Sequence, residues 1–463
     1  MRVNTLDPCL LAQWSGGEWR NGVPQEVVGF GNDTRRLACD ELFVAIVTDC
    51  RDGHDFLQEA QANGASGALV DSFRPEVNFP QLVVSNVLMA LQSMAAQYRQ
   101  RWKAVVVGIT GSCGKTTCKE LLTAMLGRES VLSTIGNLNN LIGVPLSMLR
   151  PEAMEVRFVV LEAGISEEGE MAQLAKMIDP DYTVVTAIGP SHLEKLLSVQ
   201  AVAREKGILA RGKRVKRVFA GESCERYIAD FGDASVALVR ENAAAEEEWS
   251  YFFRSDQGRS TFAQRALGGV EHFEYGGAGR GLASNFALAA ALARSLGVEP
   301  KRIRESLESW QPRGMRGEWM RLGKKTVLLD CYNANPLSMK DSLEMFVAQS
   351  PECQPRLFLI GCMEELGESS SVYHEELGRA FPLRLQDELF VVGEEAYSVM
   401  KGLKDMGRDL ERCHVIGGVE QARSRIASFE GGIFLKGSRR YRLEEALSGL
   451  SFDEIGLEGL GEC

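Results

Sequence analysis

Short apolar runs alternate with helical patterns along most of the chain, and this alternation is the first guide to its fold. Near the N-terminus, Glu41–Ile46 and Ala68–Val70 read as strands rich in apolar and β-branched residues. Phe56–Gly64 reads as a helix closed by glycine, and Met89–Lys103 as a second helix leading into a strand at Ala104–Val107. The pattern then becomes regular: helix Thr116–Leu126, strand Phe158–Glu162, helix Gly169–Ile178, strand Tyr182–Ala187 and helix Val199–Ala210. Strands that are apolar throughout, set between helices, predict a parallel sheet covered on both faces. The alanine-rich helix Asn285–Leu296 and helix Pro300–Trp310 lead to Pro312-Arg313-Gly314, a predicted linker. Beyond it, strands Thr326–Leu329, Leu357–Ile360, Leu389–Val392 and Gly432–Lys436 repeat the alternation on a smaller scale.

The chain has 463 residues. A single core stops growing at roughly 250–300 residues, so several domains are expected. The reading is α/β with three domains: a small α/β unit over 1–103, a central parallel-sheet domain over 104–312, and a C-terminal Rossmann-like α/β domain over 313–463. The hydrophobic fraction of 45% and charged fraction of 25% are ordinary for globular chains. The net charge of -11 argues against nucleic acid and anionic lipid as partners. An anionic ligand must then be held by local groups. Eleven scattered cysteines without a CxxC pair point to free thiols in a reducing cytosol, not to disulfides or zinc. The N-terminal residues lack the apolar core of a signal peptide, and no apolar run is long enough to span a bilayer. A cytoplasmic chain without membrane insertion is expected. The acidic patch Glu246–Glu248 reads as a solvated loop or helix face.

Candidate chemistry centres on Gly108-Ile109-Thr110-Gly111-Ser112-Cys113-Gly114-Lys115-Thr116-Thr117. An apolar strand runs into this glycine-rich turn and a helix follows. Such a loop turns backbone N–H groups toward phosphate oxygens, and the helix N-terminus adds partial positive charge. Lys115 would reach the terminal phosphates of ATP and the Thr116 hydroxyl would ligate Mg²⁺. The strict GxxxxGK[ST] spacing needs glycine at 109, where this chain has Ile109. Cys113 sits inside the loop. A helix N-terminus lowers a thiol pKa, so a reactive cysteine and a merely small loop residue are both open. Downstream, Gly136-Asn137-Leu138-Asn139-Asn140-Leu141-Ile142-Gly143-Val144-Pro145 reads either as polar ligand recognition or as an asparagine-rich turn.

These motifs together resemble the Mur ligase family, and within it the MurF-type ligases. The family's phosphate loop has the form TGSxGKTT, which accounts for the odd glycine spacing, and MurF-type members follow it with GNLNNxIGVP. Asp33-Thr34-Arg35, Leu42–Ala45 and Asp52–Phe56 look like the segments DTR, LFVA and DGHDF. Asp330-Cys331-Tyr332-Asn333-Ala334-Asn335-Pro336 with Ser338-Met339 resembles DxYNANPxSM, and Lys436–Arg439 a late KGSR turn.

The resemblance implies an ATP-dependent ligase that joins D-alanyl-D-alanine to UDP-N-acetylmuramoyl-tripeptide through an acyl phosphate, in peptidoglycan precursor synthesis, as a monomer. It implies catalytic roles for Lys115, Glu162, His192 and Lys206. It implies nucleotide contacts from Thr110, Gly111, Ser112, Cys113, Gly114, Lys115, Thr116 and Thr117. Asn285, Arg316 and Asp330 would join them, with Asp330 holding the ribose. Two Mg²⁺ sites are implied, with Thr116, Glu162, His192 and an N-carboxylated Lys206 as their ligands. Without the resemblance, Lys206 would read as an exposed helical lysine and His192 as a structural histidine. Thr34 and Arg35 would hold the UDP moiety in the N-terminal domain. Asn137, Asn139 and Asn140 would line the muramyl-peptide region, and Asn333 and Asn335 the edge where the dipeptide enters.

Three departures from the family pattern stand out. The family's GxNHxGE is Gly164-Ile165-Ser166-Glu167-Glu168-Gly169-Glu170, without the Asn-His pair. A family histidine four residues before Asn285 is Gly281, and the aspartate of GDMxELG is Cys362. The core residues Lys115, Glu162, His192 and Lys206 are kept, so an active ligase is expected. A MurE-type, cyanophycin-type or folylpolyglutamate-type ligase would not need GNLNN and DxYNANP. A P-loop kinase would not need the DTR-bearing domain, and a nucleotide-gated binding module would not need Glu162, His192 and Lys206 together.

Overall fold

The computed structural model describes residues 5–241, 249–256, 259–266, 269–276, 279–351, 353–450 and 453–454. The acidic patch Glu246–Glu248 lies outside the described residues. Three sheets organise the rest, beside a small hairpin of Val47–Thr48 and Arg51–Asp52.

The first sheet runs, edge to edge, Glu18–Arg20, Gln81–Val83, Gly67–Val70, Leu42–Val44 and Phe30–Gly31. It is parallel apart from the first pair. Helix Val87–Arg99 then leads to the second sheet. The Asn86 side chain accepts the Met89 N–H and starts this helix two residues before the predicted Met89. It ends at Arg99 and not at Lys103. There the fully buried Arg99 side chain turns away to donate to the carbonyls of Ile178 and Asp179.

The second sheet has the order Gly269–Gly276, Arg259–Ala266, Ser250–Asp256, Val236–Glu241, Arg217–Gly221, Tyr182–Val185, Val105–Thr110, Phe158–Glu162 and Val131–Ser133. The expected parallel strands form its centre, and Val105–Thr110 and Phe158–Glu162 pair in register along their length. Both are buried on both faces, which is why they read as unbroken apolar runs. The sheet is mixed, however, not parallel throughout: the last two pairings, formed by Ser250–Asp256, Arg259–Ala266 and Gly269–Gly276, are antiparallel. Their apolar face packs on helix Arg280–Ser295, with the Phe273 and Phe286 rings 4.9 Å apart edge to face.

The third sheet has the order Cys413–Ile416, Glu388–Val392, Arg356–Gly361, Gly431–Lys436, Lys325–Asp330, Glu318–Leu322 and Asp453–Glu454. Its first five strands are parallel, with antiparallel edge strands added at the Glu318–Leu322 side. Helix Pro336–Gln349 follows Asp330 and packs Phe346 into the ring cluster of Trp319, Phe358 and Phe434. No helix among the described residues is long and apolar enough to cross a membrane.

Candidate active site

Two neighbours of strand Val105–Thr110 leave it in opposite directions across the sheet, Phe158–Glu162 on one side and Tyr182–Val185 on the other. Open α/β sheets bind ligands at such a switch point, beyond the carboxyl ends of the strands. Here a cavity of about 620 Å³ opens there, closed from above by the C-terminal sheet and its first helix. Ser112, Cys113, Gly114, Lys115, Thr116 and Thr117 line its floor.

The floor is held by short polar bonds. Thr110 donates its hydroxyl to the Ala163 carbonyl at 2.9 Å, and Ser112 does the same to Gly189 at 2.9 Å. Thr186 donates to the Cys113 carbonyl at 2.5 Å. Gly114 begins helix Lys115–Leu126 with a φ of +80°, and a Cβ there would collide with the Asn285 amide. Only glycine fits both demands. The Lys115 ammonium folds back on the Gly111 carbonyl at 2.8 Å, and burial lowers its pKa. Burial pushes the Cys113 thiol up to about 11, which favours its neutral form.

Glu162 lies at the end of its strand, 1% exposed. It accepts the Thr116 hydroxyl at 3.0 and 3.1 Å and the Asn139 amide at 2.7 Å. Lys119, one helical turn past Thr116, stands 3.7 Å from the same carboxylate and donates to the carbonyls of Thr134 (3.1 Å) and Gly136 (2.8 Å). Sequence reading passed over Lys119. Its spacing of three from Thr116 puts both on one helix face, which was the available signal. Asn140 accepts the Gly143 N–H at 2.8 Å and shapes the turn, while Asn137 is exposed outside the cavity.

Lys206 is fully buried, not an exposed helical residue, and its Nζ has no hydrogen-bond partner among the described residues. Burial, then the nearby Lys115 charge, lowers its pKa well below the usual lysine value. Its neighbour Glu205 accepts the N–H groups of Gly169 (2.8 Å) and Met171 (3.0 Å), tying this helix to the loop after Glu162. In that loop, where the Asn-His pair is missing, Ile165 is buried and the Ser166 N–H bonds Glu170 at 2.6 Å. His192 reaches the cavity wall but pairs, 2.5 Å away, with Glu365 of the C-terminal part. That bond holds the Glu365 carboxyl below its usual pKa. Among the described residues no three His, Cys, Asp or Glu side chains form a ready metal cluster.

The roof comes from residues after 312. Asp330 accepts from the buried Lys436 ammonium at 2.7 Å and from the Ser342 hydroxyl. Lys436 therefore steadies this carboxylate. The Arg316 guanidinium stacks 3.8 Å over the Tyr332 ring at the cavity edge. Asn333 lines the cavity and folds its side chain onto the Ala334 N–H at 2.9 Å. Asn335 caps helix Pro336–Gln349 through Ser338 and donates its amide to the Ser112 carbonyl at 3.0 Å, joining roof to floor. This employment limits what it offers a dipeptide. Cys362 is buried and burial pushes its thiol up to about 12.

Thr34 and Arg35 stand apart from this cavity. Thr34 is buried and donates to Glu59 at 2.8 Å, whereas Arg35 is exposed and paired with Asp33, whose carboxyl it holds down at about 2.

The sequence profile of the Mur ligase middle domain matches residues 109–293, and that of the Mur ligase glutamate ligase domain matches 315–439. The UDP-N-acetylmuramoyl-tripeptide–D-alanyl-D-alanine ligase of Bacillus subtilis is 29% identical over 464 aligned positions, covering 95% of this chain and 97% of that protein. The Escherichia coli enzyme of the same name is 31% identical, covering 79% of this chain and 81% of its own. MurF from Acinetobacter baumannii superposes with a TM-score of 0.84 at 24% identity, over 97% of this chain and 99% of the other. With its phosphate loop, its Glu162–Thr116 pair and its buried lysine arranged as above, the chain belongs to the Mur ligase family, in its MurF branch.

Proposed function

We propose that this chain joins D-alanyl-D-alanine to UDP-N-acetylmuramoyl-tripeptide at the expense of ATP, in the cytoplasmic synthesis of peptidoglycan precursors. The carrying observation is that one cavity gathers the loop lysine Lys115, the Thr116–Glu162 pair and the roof residues Arg316 and Asp330, with Lys206 buried behind it. A terminal carboxylate oxygen of the tripeptide attacks the γ-phosphorus of ATP and ADP leaves. The dipeptide amine then attacks the acyl carbon, and phosphate leaves. Such chemistry needs positioning and charge neutralisation more than covalent help.

In this reading Lys115 leaves the Gly111 carbonyl to meet the phosphates, and Asp330, steadied by Lys436, takes the ribose hydroxyls. Asn285 and Arg316 border the nucleotide, and Asn139 orients Glu162. The hydroxyl of Thr116 and the carboxylate of Glu162 are hard oxygen donors already in contact, which fits Mg²⁺. Bound there, the ion would offset the negative charge that builds between γ-phosphate and carboxylate. Burial favours the neutral amine of Lys206 that addition of CO₂ requires, and its Nζ, without a partner among the described residues, fits an N-carboxylated side chain. With His192, that carbamate would hold a second ion. Thr34 and Arg35 are assigned to the UDP moiety, and Asn137 and Asn333 to the peptide ends of the substrates. The units 1–103, 104–312 and 313–463 are proposed as domains, supported by one sheet in each.

The test is ADP release by the full chain with ATP and Mg²⁺. It should require UDP-N-acetylmuramoyl-tripeptide and D-alanyl-D-alanine together. Release with one substrate alone, or none with both, would sink the assignment.

A further inference from the structure

The cavity lining also includes the apolar side chains of Leu282, Trp310, Pro312 and Met345, and Met345 packs against Gly279 and Gly317, which lie close in the chain to Gly281 and Arg316. Flat apolar surfaces of this kind suit a nucleotide base, and Asp330 stands where the ribose would precede it. One carboxylate is set into this part of the lining: Asp341, on the roof helix Pro336–Gln349. Its Oδ1 accepts the Gly281 N–H at 2.7 Å, across from the first turn of helix Arg280–Ser295. Its Oδ2 accepts no hydrogen bond from any described residue. A Cβ on Gly281 would collide with that oxygen. The family histidine missing at 281 and the Asp341 carboxylate in this position are therefore mutually exclusive. The carboxylate stands in the space the histidine gives up.

The other acids of the cavity are committed: Glu162 to Thr116, Asn139 and Lys119, Asp330 to Lys436 and Ser342, and Glu170 to Ser166. Asp330 Oδ1 and Glu170 Oε1 also lack a described partner, but Asp330 is taken up with the ribose and Glu170 with the loop after Glu162, so the free acceptor oxygen beside Gly281 is that of Asp341. A single acceptor, fixed in direction by the bond to Gly281, matches a base that presents one amino group. Adenine does so at N6. Hypoxanthine presents a carbonyl oxygen at the same place and would meet the carboxylate oxygen to oxygen.

We infer that Asp341 is a specificity-determining residue that reads the amino group of adenine, replacing the family histidine whose place Gly281 leaves open. The inference rests on the nucleotide reading of the cavity. Burial raises the Asp341 pKa to about 6, which leaves the group mainly ionised, as an acceptor, at pH 7.5.

The experiment measures binding of non-hydrolysable ATP and ITP analogues to the full chain at pH 7.5 with Mg²⁺, by calorimetry. No other substrate is present, so a chain that fails the joint-substrate assay still answers this question. The parent should prefer the ATP analogue by about tenfold or more, the worth of one hydrogen bond to a charged group. Asp341→Ala should erase about tenfold of that preference. Asp341→Asn keeps the acceptor for Gly281 and turns an amide donor toward the base, so it should fold normally and shift the preference toward ITP. If Asp341 serves only to fasten the two helices, both variants will weaken the two analogues by the same factor. That outcome, or an unchanged ATP-to-ITP ratio in Asp341→Asn, overturns the inference.

Discussion

Replacing Lys119 by methionine isolates the support beneath Glu162. The Lys119 side chain is 4% exposed and that of Glu162 1%. Methionine preserves the apolar stem but removes the cation that stands 3.7 Å from the carboxylate. Glu162 then keeps Thr116 and Asn139 as neutral donors, and the carbonyls of Thr134 and Gly136 lose a charged one. Removing one partner of a buried pair costs about 3–5 kcal/mol, because the other charge stays behind. The two carbonyl bonds belong to the same side chain and are counted within that figure. In a unit of about 200 residues each kcal/mol lowers the melting temperature by roughly 2–4 °C, so a loss of roughly 6–20 °C is expected. Scanning calorimetry of the metal-free chain reads it. Pairing Lys119→Met with Glu162→Gln removes the stranded charge and should restore about 1–3 kcal/mol. A single variant melting within about 2 °C of the parent, or a double variant no more stable than the single, would refute the argument.

Gly114→Ala strains a backbone at φ +80° and drives a methyl into Asn285. A cost of about 1–3 kcal/mol should weaken ATP binding roughly 5- to 150-fold by calorimetry, with an unchanged circular dichroism spectrum. Lys206→Ala should abolish ADP release while the ATP analogue still binds. Added bicarbonate should not restore it, and near-normal turnover would show that the buried amine is only structural. Asn335→Ala removes a helix cap and the tie to Ser112 together. It should cost about 1 kcal/mol in the melting of the C-terminal part and raise the KM for ATP more than it lowers kcat, whereas an unmoved KM would break the link between roof and floor.

The strands that position the phosphate loop were legible because they are apolar on both faces, as Val105–Thr110 and Phe158–Glu162 show. The antiparallel strands Ser250–Asp256 and Gly269–Gly276 were not, because SYFFRSD and GVEHFEYG show neither an unbroken apolar run nor a strict alternation. One helix moved at both ends: its local cap Asn86 starts it early, and its last residue Arg99 turns its side chain to the carbonyls of Ile178 and Asp179. The loop motif located Ser112–Thr117, and the resemblance supplied Glu162, His192 and Lys206. What remained hidden was pairing across long separations: Lys436 with Asp330, His192 with Glu365, Asp341 with Gly281. Each partner is an ordinary residue in its own segment, and only the folded arrangement gives it meaning.

The contact between Gly281 and Asp341 also orders the changes open to this sequence. Position 281 cannot gain a side chain while Asp341 keeps its bond, since the new atom and the carboxylate oxygen claim one volume. A side chain at 281 would turn the Asp341 carboxylate aside and break its bond to the 281 N–H. Two sites 60 residues apart are thus coupled: the carboxylate keeps its bond and its direction only while position 281 stays glycine.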